Sequence, residues 1–287
     1  MLDDPEGARV PEGLPPVVDV HTHAFPLKLF HAIQRWFDMH GWPIRYRMSA
    51  EEVLDFLPAR GVRHVVVFGY AHKAGMADEL NRFLADLVAS RPHATALGTV
   101  LPGEPGAQRI LHDAFSMGLK GVKIHCHVQC VAPDAPEMDA VAGACADAGL
   151  PILMHAGREP ASPAYRCDTH AICSVDRVAR LLARHPRLTL VIPHLGVDEL
   201  DGYRALLRRR ENLFVDTTMM LAGYFPGYPA TLDGFPPERV LYGTDFPNIP
   251  YAWDRELKAL LALGLAERDL ARVLGGNAAE LFGISLR

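Results

Sequence analysis

Short runs rich in β-branched residues alternate along this chain with stretches in which apolar residues recur three and four positions apart. Gly, Pro or Asn punctuates the changes. The runs are PVVDVHTHAF from Pro16, RHVVVFGY from Arg63, ATALGTV from Ala94, LKGVKIHCHV from Leu119, PILMHAG from Pro151, LTLVIPHLG from Leu188, NLFVDTT from Asn212 and VLYGTDFP from Val240. Between them, segments such as MADELNRFLADLVASR, GAQRILHDAFSMG and SVDRVARLLARHP carry an amphipathic helix pattern. Strands alternating with helices imply a parallel sheet, and eight such units over about 250 residues predict an α/β fold, the (β/α)8 or TIM barrel. The barrel is expected to span residues 16–287 as a single domain, with residues 1–15 as an irregular N-terminal arm. A doubly wound open sheet is the alternative architecture, but no G-x-G-x-x-G follows the first run.

The polar residues sit where such a barrel places its chemistry, at the C-terminal ends of the strands. Run one ends His21-Thr22-His23, run four Lys123-Ile124-His125-Cys126-His127, run five His155, run six His194 and run eight Asp245. Side chains alternate along a strand, so His21 and His23 are expected to face inward together. By the same alternation Lys123, His125 and His127 should share a face. In a closed barrel the last strand lies beside the first, which brings Asp245 to the paired imidazoles. Neutral imidazoles with a carboxylate and room for water suit a catalytic Zn2+ or similar divalent ion.

Composition narrows the partners. Of the 287 residues 49% are hydrophobic and 22% charged, and 29 Lys plus Arg against 34 Asp plus Glu leave a net charge of -5. That balance argues against nucleic acid and against acidic lipid surfaces. The start is acidic, without a basic segment and apolar run, and no stretch approaches the roughly 20 apolar residues of a membrane span, so a cytoplasmic location is expected. The five cysteines lack C-x-x-C spacing and are expected to be reduced thiols, mostly in the core.

The words VDVHTH, GVKIHCHVQ, ILMHAG, VIPHLG, YGTDFP and GGNAAELFG, in that order over nearly the whole chain, resemble the amidohydrolase superfamily. The resemblance is closer to its amidohydrolase-related (amidohydrolase 2) branch of metal-dependent hydrolases and decarboxylases. It implies His21, His23, His155 and Asp245 as metal ligands, with His194 beside the activated water as a further ligand or as a hydrogen-bonding and electrostatic partner in catalysis. Some superfamily members bridge two metals with a carbamylated lysine on strand four. Lys123, His125 and His127 are therefore candidates for a second metal or for the substrate, although one ion, Zn2+ by preference, is expected. A nuclease branch sharing the opening HxH carries a bridging Glu near strand four, which GVKIHCHVQ lacks. Dimers are common in the superfamily, so a homodimer is a candidate assembly.

Two reactions fit this set. The first is hydrolysis of a small amide, lactone or other cyclic acyl substrate by metal-activated water, with Asp245 as general acid/base and His194 polarising the carbonyl. The alternative is non-oxidative decarboxylation of a small unsaturated or aromatic carboxylic acid, with Asp245 protonating carbon. Sequence analogy favours hydrolysis. Substrate selection is expected from the aromatic-rich stretch Ala24 to Ser49, which includes Trp36 and can lid the mouth or pack beside it. Arg158, Tyr165 and Arg166 after run five are the other candidate substrate contacts, while Asp216, Thr217, Tyr70 and His72 are weaker ones.

Overall fold

A computed structural model describes residues 1–286. Its eight parallel strands form one sheet in chain order. They are β1 (Val18–His23), β2 (His64–Phe68), β3 (Ala94–Thr99), β4 (Val122–His125), β5 (Ile152–His155), β6 (Leu190–Ile192), β7 (Leu213–Asp216) and β8 (Val240–Leu241). Each lies within one of the runs read from sequence. The sheet closes where the Val20 amide donates to the Tyr242 carbonyl (3.0 Å), the Asp245 amide to the His21 carbonyl (2.9 Å) and the His23 amide to the Phe246 carbonyl (2.8 Å). The fold is a (β/α)8 barrel.

Helices follow the strands on the outside: α1 (Leu27–His40) and α2 (Ala50–Ala59) after β1, α3 (Ala77–Val88) after β2, α4 (Ala107–Ser116) after β3 and α5 (Glu137–Ala148) after β4. They continue with α6 (Val175–Arg184) after β5, α7 (Leu200–Leu207) after β6 and α8 (Arg255–Ala262) after β8. Their starts follow local chemistry. At α2 the Ser49 hydroxyl accepts from the Glu52 amide and the Glu52 carboxylate accepts from the Ser49 amide, a reciprocal cap of about 1 kcal/mol. The apolar stripe of α6 buries Val178, Leu181 and Leu182 against the barrel. A smaller cluster fills the barrel interior, with Val18, Val20, Val66, Phe68, Leu97, Leu153, Val191 and Leu241 closed off by Ala278 and Phe282 of the last helix. Asn277, from the closing GGNAAELFG, donates to the carbonyls of Pro237 and Val240 at 2.7 Å each and so holds that helix to β8.

Simple alternation fails at one place in β1. Val18 and Val20 belong to the interior cluster, yet the His21 ring lies 5.0 Å from Phe68 of that same cluster. The register with β2 shifts between Asp19 and Thr22, a bulge that turns His21 and His23 to the side Val18 and Val20 occupy. The apolar floor and the imidazoles above it therefore share the barrel interior. Gly243 permits this crowding, since a Cβ there would lie 2.5 Å from Thr218 Oγ1 and 2.9 Å from His21 Cβ.

The N-terminal arm has no regular structure but is held to the barrel. Asp4 pairs with Arg255 at 2.8 Å, the Gly7 amide donates to Asp254 at 2.8 Å, and the Trp253 indole donates to the Gly7 carbonyl at 3.1 Å. Among the described residues no helix is long and apolar enough to cross a membrane.

Candidate metal centre and active site

His21, His23 and Asp245 bring one ligating atom each to within 4.8 Å of one another, all three buried. Asp245 Oδ1 lies 2.7 Å from His23 Nε2 and 3.4 Å from His21 Nε2. β8 ends at Leu241, so Asp245 is placed by the following loop, at φ 73°, through its amide bond to His21. His21 Nδ1 donates to Asp216 Oδ2 at 2.9 Å, which leaves Nε2 unprotonated and free for a metal. Asp216 Oδ1 also accepts from the amides of His194 (3.2 Å) and Thr218 (3.1 Å).

The electrostatics favour a ligand set. Burial holds His21 and His23 below the usual imidazole range, aided by the Lys123 charge, so both are neutral donors. Burial alone would raise Asp245, but the His23 hydrogen bond and the neighbouring imidazoles bring it well below the usual carboxylate range. Two neutral imidazoles and an ionised carboxylate are ligands that a divalent ion accepts. They line a cavity of about 30 Å³, enough for an ion and its immediate ligand atoms.

The remaining sequence candidates divide. His194 sits in a tight turn after β6 at φ 57°, its Nδ1 donating to the Thr218 carbonyl (2.9 Å) and its Nε2 3.3 Å from His155 Nδ1. His155 ends β5, stacks on His125 at 4.3 Å and places its Nε2 3.2 Å from the Glu159 carbonyl. Both line the cavity, but His155 stands outside the close trio. Lys123 is fully buried in the same cavity, its Nζ 3.5 Å from His21 Nε2 and 4.5 Å from the Phe68 ring centroid. Burial lowers its ammonium to about 8, with Asp245 and Asp216 opposing.

His127 departs from the alternation expected of run four. β4 stops at His125 and Cys126–Gln129 form a helical turn, because the Gln129 carboxamide captures the His125 amide and donates to the carbonyls of Ala71 and Val100. His127 thereby lies outside the metal cavity and lines the larger one beside it, with its Nε2 donating to the Gly157 carbonyl at 2.7 Å. Arg158, expected as a substrate contact, pairs instead with Asp198 at 2.7 Å and lines neither the metal cavity nor the larger one beside it.

That larger cavity, about 440 Å³, opens beside the metal pocket and shares Phe37, Tyr70, His125 and Tyr165 with it. Leu29, Ile33 and Trp36 from α1 supply more apolar wall, Trp36 stacks on Tyr165 at 5.3 Å, and His72, Lys73 and Arg166 stand among the lining. The stretch after β1 is thus one helix and a returning segment over the mouth, with Trp42 donating to the Asn248 carbonyl at 2.7 Å. Two contributors escaped or were undervalued in the sequence reading. Asn248 faces the metal pocket with its Oδ1 buried and unpartnered. Asp216 carried a legible signal, a carboxylate at the end of its strand, the habit of the other site residues.

A family model described as amidohydrolase matches residues 18–284. The chain belongs to the amidohydrolase family. No curated protein matches it. Among solved structures, the chain is similar to a 5-carboxyvanillate decarboxylase from Sphingomonas paucimobilis, with 19% identity, 94% of this chain and 99% of that one covered, and a TM-score of 0.67. A 2,6-dihydroxybenzoate decarboxylase from Rhizobium matches with 17% identity, 94% and 99% coverage and a TM-score of 0.66. A 5-carboxyvanillate decarboxylase from Novosphingobium aromaticivorans, in complex with manganese and 4-hydroxy-3-methoxy-5-nitrobenzoic acid, matches with 17% identity, 99% coverage of both chains and a TM-score of 0.69. At these identities the likeness is one of fold.

Because Asp216 orients His21, Asp216→Asn is expected to weaken metal binding about 10- to 100-fold while leaving the barrel folded. Titration of the apoprotein with Zn2+ or Mn2+ against a competing chelator measures this. Unchanged affinity would mean that His21 needs no such partner.

Proposed function

We propose that this amidohydrolase-family chain is a metal-dependent, non-oxidative decarboxylase of a small aromatic or unsaturated carboxylic acid. The observation that carries the reading is the aromatic-walled cavity of about 440 Å³ joined to the His21, His23 and Asp245 pocket. A single substituted ring fits that volume. That the solved structures of similar fold include decarboxylases favours this reaction over the hydrolysis expected from sequence, and the manganese of one of them stands beside the zinc expected from sequence. We infer one ion, since the described residues converge on one ligand trio.

When bound, a divalent ion supplies Lewis acidity to the substrate's oxygen atoms. The chain's own groups do the rest. Trp36, Phe37, Tyr70 and Tyr165 hold the ring and exclude water. Asn248 Oδ1 accepts from a substrate hydroxyl, and Lys73 and Arg166 draw an anion toward the cavity. Asp245, ionised and with Oδ1 turned to the imidazoles, takes up through Oδ2 the proton that a substrate hydroxyl loses and passes it to the carbon that loses carbon dioxide. His194 faces charge that develops on the substrate, from a position fixed by its Thr218 bond. The substrate is a small molecule, and a cytoplasmic location accords with this role.

The test is incubation of the chain, loaded with Mn2+ or Zn2+, with hydroxybenzoic acids in D2O and, separately, with lactones and cyclic amides. Carbon dioxide release with deuterium at the former carboxyl carbon is the expected result. Ring opening of the lactones or amides, with no carbon dioxide from any acid, would overturn it in favour of a hydrolase.

A further inference from the structure

Four of the five cysteines gather at one place that the metal chemistry does not use. Cys126 and Cys130 belong to the turn after β4, while Cys167 and Cys173 flank the short helix Thr169–Ile172 after β5. The thiols of Cys130 and Cys167 donate to the same acceptor, the His127 carbonyl, at 3.6 and 3.3 Å. Both residues are partly exposed, whereas Cys126 and Cys173 are fully buried. Cys130 sits at φ 51°, the left-handed region where Gly or Asn is the ordinary occupant. Cys167 follows Tyr165 and Arg166, two residues of the cavity wall.

We propose that Cys130 and Cys167 are a redox modification site, two thiols that a hydroperoxide converts to a disulfide tying the cavity wall after β5 to the turn after β4. The Cys130 thiolate attacks the peroxide, forming an S–O bond as the O–O bond breaks, and the released hydroxide takes a proton to leave as water when the oxidant is hydrogen peroxide. Cys167 then attacks that sulfur, forming S–S as S–O breaks, and its thiol proton goes to the departing hydroxide to give a second water. Two thiols are oxidised and one peroxide reduced, and a dithiol reductant reverses the change. Burial, with the adjoining Cys130 sulfur, pushes the Cys167 thiol up to about 12, which suits Cys167 to the second step. Conversion of Cys130 to its sulfenic acid removes the neighbouring thiol that opposes ionisation of Cys167.

The experiment needs no substrate and stands apart from the decarboxylase reading. The full chain is treated with hydrogen peroxide, its remaining thiols are blocked under denaturing conditions, and peptides are mapped without reduction. A Cys130 to Cys167 linked peptide is expected, with titratable thiols falling from five by the two that join and returning with dithiothreitol. Cys130→Ser and Cys167→Ser should each abolish the link, and Cys167→Ser should leave a sulfenic acid on Cys130 that dimedone traps. Cys145→Ser, at a fully buried site on α5, should leave the link intact. Retention of all five thiols, a link between other cysteines, or oxidation only to sulfinic and sulfonic acids would overturn the proposal.

Discussion

Asp245→Asn is expected to lower turnover by about 10²- to 10⁴-fold, the range that a positioned general acid or base contributes. The barrel should survive. Asn adopts the left-handed conformation that φ 73° demands more readily than most residues, and its amide oxygen can still accept from His23. What disappears is the negative charge beside two imidazoles and the oxygen that carries the proton. Metal content measured on the same preparation separates the two roles. Turnover lost with metal retained assigns Asp245 to proton transfer, and turnover lost together with metal assigns it chiefly to holding the ion. Full activity would remove Asp245 from the mechanism.

Replacing His21 and His23 together by Ala should take bound metal from about one ion per chain, the stoichiometry a single ligand trio implies, to well below that, with activity lost. Elemental analysis by plasma mass spectrometry, before and after exposure to a chelator, reads this directly, and it names the ion in the parent protein. Circular dichroism would show whether the double variant keeps its helices, since the apolar floor of Val18, Val20 and Phe68 lies beneath the deleted rings. Unchanged metal content in a folded double variant would place the ion elsewhere. About two ions per chain in the parent would instead return Lys123 to consideration as a bridging ligand.

The two predictions rest on residues that were legible for a simple reason. Strands of a barrel present their last side chains at one mouth, so a His or Asp closing several β-branched runs marks the site before any contact is known. His21, His23, His194 and Asp245 were singled out that way, and the structure brings them to one cavity. The same reasoning set His127 beside Lys123 and His125, but the chain turns helical where Gln129 caps the His125 amide, and His127 lines the larger cavity instead of the metal pocket. Arg158 looked like an anion contact beside His155, but Asp198 takes its charge. The partner of an arginine is a tertiary fact.

Read alone, the order of apolar and polar positions determined the eight strand and helix units, the closed parallel sheet and the cluster of candidate ligands. These follow from local periodicity and from the one way in which such units close. Tertiary structure decided the rest. The bulge between Asp19 and Thr22 aims His21 and His23 inward, Asp216 orders the His21 tautomer from the far side of the barrel, and α1 builds an aromatic wall against Tyr165. Each depends on atoms distant in sequence, where pairing register and packing choose among arrangements that local preference leaves equal.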